Sequence, residues 1–206
     1  MKLSIAQLTA LERQDPVLGM AIKRLPPFPD MPVGNFRGSY FQVLARSIIY
    51  QQLATKAAAT IYGRVRRLGP GPRFPTPDQM LSLSEERLRE AGLSGNKTKA
   101  IHDLAGKVLR GELILRGIEH QDDTEIIRRL TTVWGIGEWT AQMFLIFKLG
   151  RLDVMPTGDL GVQKGLRILD GLSERPKPKL LLERAELWRP LRSVAAWYLW
   201  RLTDSR

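Results

Sequence analysis

The stretch TEIIRRLTTVWGIGEWTAQ, residues 124–142, decides how the chain is read. Ile126, Ile127, Leu130 and Val133 recur at helical spacing, which predicts a short amphipathic helix running up to the turn Gly135-Ile136-Gly137, with a second helix from about Glu138. The pattern is a helix-hairpin-helix. Gly135 and Gly137 can take positive φ without a Cβ clash, so the turn stays tight and backbone N–H groups point outward where the second helix begins. Amides left unpaired and backed by a helix dipole attract anions. Gly135, Ile136 and Gly137 are therefore candidate ligands of a nucleic-acid phosphate. For a GxG in isolation the alternative is an ordinary αα-hairpin that turns on glycines.

The charge balance bears on that choice. Lys and Arg number 32 against 21 Asp and Glu, a formal charge of +11, and such an imbalance points first to nucleic acid. A solvated basic surface is the alternative. The hairpin favours DNA, because it offers a geometric phosphate site rather than a diffuse field. With 206 residues, 43% of them hydrophobic, the chain can bury a sizeable core, as one domain or as two small lobes sharing a cleft. No apolar run approaches the ~20 residues that span a bilayer, and Glu12 and Asp15 come too early for a signal peptide. The expectation is a soluble cytoplasmic protein, nucleoid-associated in a bacterium, with no membrane partner and no need for more than a monomer. The sequence contains no cysteine, which excludes disulfides, Cys-ligated zinc and an iron–sulfur cluster.

Taken in order, the chain reads as helix after helix. Residues 4–13 and 16–25 split at Asp15-Pro16, and the Pro-rich run at 25–32 forms a linker or lobe boundary. Two helices from Tyr40 are separated by Gln51, Gln52 and Leu53, with Thr55 as candidate N-cap; one continuous helix to Leu68 is the alternative. Residues 69–77, GPGPRFPTP, read as a surface loop. Ser84 caps a short helix that Gly92 ends, and a further helix over 94–111 carries Lys97, Lys99 and Lys107 on a flank that either contacts DNA or is merely wet. The second hairpin helix extends to Leu149 and stops at Gly150. Helices then follow Asp159, Lys179 and the stretch LRSVAAWYLWRL. With no alternating strand pattern, the fold class is all-α, about ten helices.

Beyond the hairpin, DVMPTGDLGVQKG (153–165) sets Asp159 after Pro156 and Gly158 at a helix start. A plain helix cap is the alternative, and Asp153 and Asp170 are rivals by residue type. IIYQQLATKAA (48–58), GIGEWTAQ (135–142), this Asp159 segment and WRPLRSVAAWYLW (188–200) occur in an order that resembles the HhH-GPD superfamily of DNA base-excision glycosylases. The resemblance is strongest to the 3-methyladenine DNA glycosylase II (AlkA-type) branch.

That resemblance implies two helical lobes, residues 1–33 with 157–206 and residues 34–156, with a cleft between them for the base. It implies a monofunctional glycosylase that hydrolyses the N-glycosidic bond of alkylated bases, 3-methyladenine and other methylated bases, in duplex DNA, the first step of base excision repair. Asp159 matches the catalytic carboxylate, which would steady an oxocarbenium-like sugar and orient or deprotonate the attacking water. Trp139 stands where lyase members carry a lysine nucleophile, which implies no lyase activity. Trp139, Trp200 and Met143 fall at base-pocket positions, where aromatic faces suit a cationic alkylated purine; Met143 replaces a tyrosine common in the branch. Trp134, Trp188 and Trp197 are left as core fillers. Leu53 matches the wedge that fills the gap left by a flipped base, and Gln52 the contact to the base opposite. A Na+ or K+ on the carbonyls of Thr131, Val133 and Ile136 is implied as an optional structural ion, with no other cofactor required. Glu138 puts an acid beside the phosphate site. An N-terminal β lobe is not expected, because the residues before Gly34 are too few to build one. Two other functions stay open: a non-catalytic helix-hairpin-helix protein that binds damaged DNA, and a glycosylase for mismatched or oxidised bases.

Overall fold

The computed structural model describes residues 3–32 and 36–204. Twelve α-helices and no β-strand occur among them: α1 (Ile5–Gln14), α2 (Pro16–Arg24), α3 (Tyr40–Tyr50), α4 (Thr55–Arg67), α5 (Pro77–Ser82), α6 (Glu85–Glu90), α7 (Gly95–Leu109), α8 (Asp123–Leu130), α9 (Glu138–Met143), α10 (Leu160–Leu169), α11 (Pro178–Ala185) and α12 (Arg192–Asp204). The chain divides into two compact units, 34–144 and 1–33 with 145–206. The crossing expected between 33 and 34 lies outside the described residues. The second crossing falls at 144/145 rather than 156/157. Residues beyond 144 are tied to α12: Phe147 stacks on Trp200, Ser193 N–H donates to the Leu152 carbonyl (2.9 Å), Val154 N–H donates to Ser193 Oγ (2.9 Å), and Arg192 Nε donates to Asp153 Oδ1 (2.8 Å).

In the 34–144 unit, α7 is packed by α3, α5 and α6, and Leu44, Ile48, Met80, Leu88, Ile101, Leu104, Ile126 and Leu130 are fully buried. Ala54, not Thr55, occupies the N-cap of α4, and Thr55 is its first helical residue. The loop expected across 69–77 gives way at Pro77 to α5. Thr76 and Gln79 form a capping box there and Pro77 supplies a helical φ at the first position, a signal present in the sequence but masked by the neighbouring prolines.

In the other unit, α10 lies against α12, and Leu11, Leu18, Val162, Leu166, Leu181, Trp188, Val194 and Leu199 form the centre of the core. Asp15, buried between α1 and α2, caps α2 through the Val17 and Leu18 amides and accepts from Arg184 Nη2 and Trp188 Nε1, each at 2.7 Å. Burial opposes ionisation of Asp15, but the Trp188 indole, the Leu18 amide and the Arg184 guanidinium outweigh it and hold the carboxyl below its ordinary range. Its stabilising contribution is present above the unfolded carboxyl's pKa, about 3.9, and lost as pH falls through the lower folded value. Urea unfolding at pH 7 and pH 3 should show a loss of stability in acid that Asp15→Asn narrows; an unchanged gap would contradict this role.

Candidate nucleic-acid interface and carboxylate site

The hairpin forms where its pattern predicts it. Beyond α8, the Thr132 and Val133 amides close the last turn on the Arg129 and Leu130 carbonyls. Gly135 adopts φ +78°, and a Cβ there would lie 3.1 Å from that of Ala100, so the residue is required both for its dihedral and for close approach to α7. Gly137 differs from expectation. It is the N-cap of α9 in extended backbone (φ −92°, ψ 174°), with open space around a built Cβ. The Ile136 amide, expected among the outward donors, bonds instead to the Val133 carbonyl (3.1 Å), and the Ile136 side chain is buried. No side chain caps the start of α9. Glu138, the acid beside this turn, accepts from Gln142 Nε2 one helical turn on (2.9 Å).

Trp134 is not a core filler. It is 51% exposed, its ring lies 4.0 Å from Lys99 Nζ, and its backbone N–H donates to Asp103 Oδ2 (2.7 Å). Asp103 also pairs with Lys107 at 2.6 Å. Burial works against the Asp103 charge, yet Lys107, the Trp134 amide and Arg110 hold the carboxyl below its ordinary range. Of the three lysines on the α7 flank, Lys107 thus braces the hairpin and Lys99 covers its tryptophan. Lys97 turns the other way: its ammonium donates to the carbonyls of Ile49 and Gln51, each at 2.8 Å, where α3 ends.

Between α3 and α4 the chain makes a strained turn. Gln52 is the one non-glycine residue with positive φ (54°) among the described residues. Leu53 follows it, 39% exposed, an apolar side chain in a polar turn. Gln51 reaches across to the hairpin, its Nε2 donating to the Gly135 carbonyl (2.9 Å) and to Thr140 Oγ1 (3.3 Å). Trp139 is 47% exposed on α9, whereas Met143 is buried at 7%.

The carboxylate site lies in the other unit. Asp159 is the N-cap of α10 and half-buried, and its Oδ1 accepts from the Val162 amide (2.8 Å) and the Trp200 indole N–H (2.9 Å). The preceding turn is fixed by Asp159 N–H donating to the Pro156 carbonyl (3.0 Å) and Gln163 Nε2 donating to the Thr157 carbonyl (2.8 Å). Phe147 stacks on Trp200, centroids 5.5 Å apart and planes 29° from parallel. It reaches that position because residues 144–149 form a π-helical turn after α9, rather than the α-helix to Leu149 that the sequence suggests. π turns shift the side-chain register by about one residue, so Phe147 is not identifiable from 3.6-residue periodicity. Gly161 leaves room for this arrangement, since a Cβ there would lie 2.9 Å from Trp200 Cδ1 and 3.0 Å from Asp159 Oδ1. The rival acids are committed to arginines, Asp153 to Arg189 and Arg192, Asp170 to Arg184. Trp188 is fully buried and Trp197 packs against the same core.

The hairpin with its uncapped helix start and the Asp159 carboxylate fixed by an indole lie within a longer stretch that matches a known family. Residues 45–190 match the family described as HhH-GPD superfamily base excision DNA repair protein. The chain is 36% identical over 177 residues to DNA-3-methyladenine glycosylase 1 of Schizosaccharomyces pombe, spanning 82% of this chain and 78% of that protein. The solved structure of S. pombe 3-methyladenine DNA glycosylase in complex with abasic DNA superposes with a TM-score of 0.85 at 32% identity over 97% of both chains. A DNA-3-methyladenine glycosidase from Bacillus halodurans gives 0.85 at 38% identity, over 97% of this chain and 89% of that one. The chain belongs to the HhH-GPD superfamily of base excision DNA repair proteins.

Proposed function

We propose that this protein is a monofunctional DNA glycosylase that hydrolyses the N-glycosidic bond of alkylated bases in duplex DNA, acting in the cytoplasm as a monomer. The observation that carries the reading is Asp159 at the start of α10, whose Oδ1 is pinned by a helix amide and an indole N–H. Departure of the base moves positive charge onto the deoxyribose, and a preorganised carboxylate stabilises that charge more than it stabilises the ground state, in which the sugar is still neutral. The same group would orient or deprotonate the water that attacks C1′. An alkylated purine already carries positive charge, so it leaves without prior protonation, and exposed Trp139 and half-buried Trp200 offer π faces of the right polarity. Trp139 has no amine to attack the sugar, so the product would be an intact abasic strand.

In this reading each unit has its own task. The 34–144 unit holds duplex through the Gly135–Gly137 turn and fills the vacated stack with Leu53, and the other supplies Asp159. The carbonyls of Thr131, Val133 and Ile136 are hard oxygen donors of the kind that suits a monovalent ion, although the Val133 oxygen already accepts one hydrogen bond. A Na+ or K+ held there would add positive charge beside the phosphate. The direct test is to incubate the protein with methylated genomic DNA and identify released bases by mass spectrometry; duplex binding without release would leave only a DNA-binding protein.

Two substitutions probe the grip and the wedge. Gly137→Ala fits the fold without strain, so stability should change by no more than about 0.5 kcal/mol. Affinity should nevertheless fall for duplexes of every sequence alike, because phosphates carry no base information. A loss confined to one sequence would contradict that. Leu53→Ala should slow excision from duplex about tenfold while melting barely moves, since the side chain is 39% exposed. A purely thermal defect would return Leu53 to the core.

A further inference from the structure

Gln51 is held at both ends. Its carbonyl accepts from the Lys97 ammonium, which also bonds the Ile49 carbonyl and so neutralises the C-terminal end of α3, and its side chain donates to Gly135 and Thr140 of the hairpin. The next two residues are Gln52, held at a φ of 54° that a non-glycine residue adopts only under strain, and the exposed Leu53. A strained turn that carries an apolar side chain into solvent persists only when its surroundings over-determine it, and the described contacts that do so come from Lys97 and the hairpin.

We propose that Lys97 and Gln51 are positioning residues that tie the wedge turn to the phosphate-gripping hairpin, so that a duplex seated on the hairpin meets Leu53 already in place. This rests on the glycosylase reading above. The part-buried ammonium of Lys97 is engaged by two backbone carbonyls, and burial pushes its pKa below the ordinary lysine value. A preorganised wedge lowers the barrier to extruding the base without adding affinity for intact DNA. The two links serve one turn, so losing either should forfeit most of the same effect.

The test uses a duplex with a single 7-methylguanine and compares single-turnover excision with the dissociation constant for unmodified duplex and the melting temperature. Lys97→Met keeps the aliphatic stem and removes the donors; excision should slow at least tenfold while affinity for unmodified duplex changes less than about twofold, and Lys97→Arg should recover most of the rate. Gln51→Leu should give a similar defect. The Lys97→Met/Gln51→Leu double variant should be within about threefold of the slower single one. A wild-type excision rate in Lys97→Met, a matching loss of affinity for unmodified duplex, or defects that multiply in the double variant would overturn the proposal. Should Lys97→Met fail to fold, a wild-type rate in Gln51→Leu would overturn it equally. A wild-type chain that releases no methylated base overturns the functional reading and this inference with it, whereas normal wild-type release beside an unaffected variant overturns the inference alone.

Discussion

Asp159→Asn is expected to reduce base release by about 10²–10³-fold or more while duplex affinity stays within about twofold. The substitution isolates charge from structure. Asparagine caps helices as well as aspartate does, its Oδ1 can still accept from the Val162 amide and the Trp200 indole, and its volume is nearly the same. What it removes is the negative charge that, in the proposed reaction, faces a sugar becoming positive as its base departs. Single-turnover release of methylated purine, read beside a binding isotherm on the same duplex, checks the result. An unchanged release rate would strip Asp159 of its catalytic role, and a collapse of binding and melting together would assign it to the helix cap alone.

The second large effect concerns stability. Gly165→Ala is expected to destabilise the protein by about 2–3 kcal/mol, a fall of roughly 5–10 °C in melting temperature for a chain of this size. Gly165 lies in α10 where α12 crosses it. A built Cβ would lie 2.6 Å from the Leu199 carbonyl carbon and 2.7 Å from its Cβ, with the Leu199 carbonyl oxygen closer still. Alanine favours a helix over glycine by about 1 kcal/mol, but the obstacle is backbone and cannot rotate away, so the two helices must separate. Gly95→Ala, where a Cβ meets nothing within 4 Å, is the control and should be neutral or slightly stabilising. Differential scanning calorimetry of both variants decides the matter. Equal melting temperatures would mean that α10 and α12 can shift at little cost.

Some of these features are written locally in the sequence and others are unreadable there. The hairpin is legible because its apolar spacing and its glycines sit within one stretch, residues 124–142. Asp159 is legible by its place after a proline-glycine turn. Lys97 is not, because its partners lie 46 and 48 residues away and a lysine among lysines carries no mark of what it faces. Trp134 misleads for a related reason, since composition ranks tryptophan as core and only the tertiary arrangement puts Lys99 over its ring. Gly165 looks like a propensity cost inside QKGLRI until the path of α12 explains it. Phe147 is hidden by the π turn, which breaks the period that sequence reading assumes.

The contacts of α12 also set an order of events. Its Ser193 and Arg192 fix residues 152–154, and its Trp200 holds the oxygen of Asp159, so both flanks of the connection leading to that carboxylate are secured from one late segment. The Asp159 carboxylate and residues 153–154 therefore gain these partners only from side chains 39 to 41 positions further along the chain. Until α12 docks, Asp159 keeps its own helix amide but lacks the indole N–H, so the orientation of its oxygen is settled by tertiary packing rather than by its own helix.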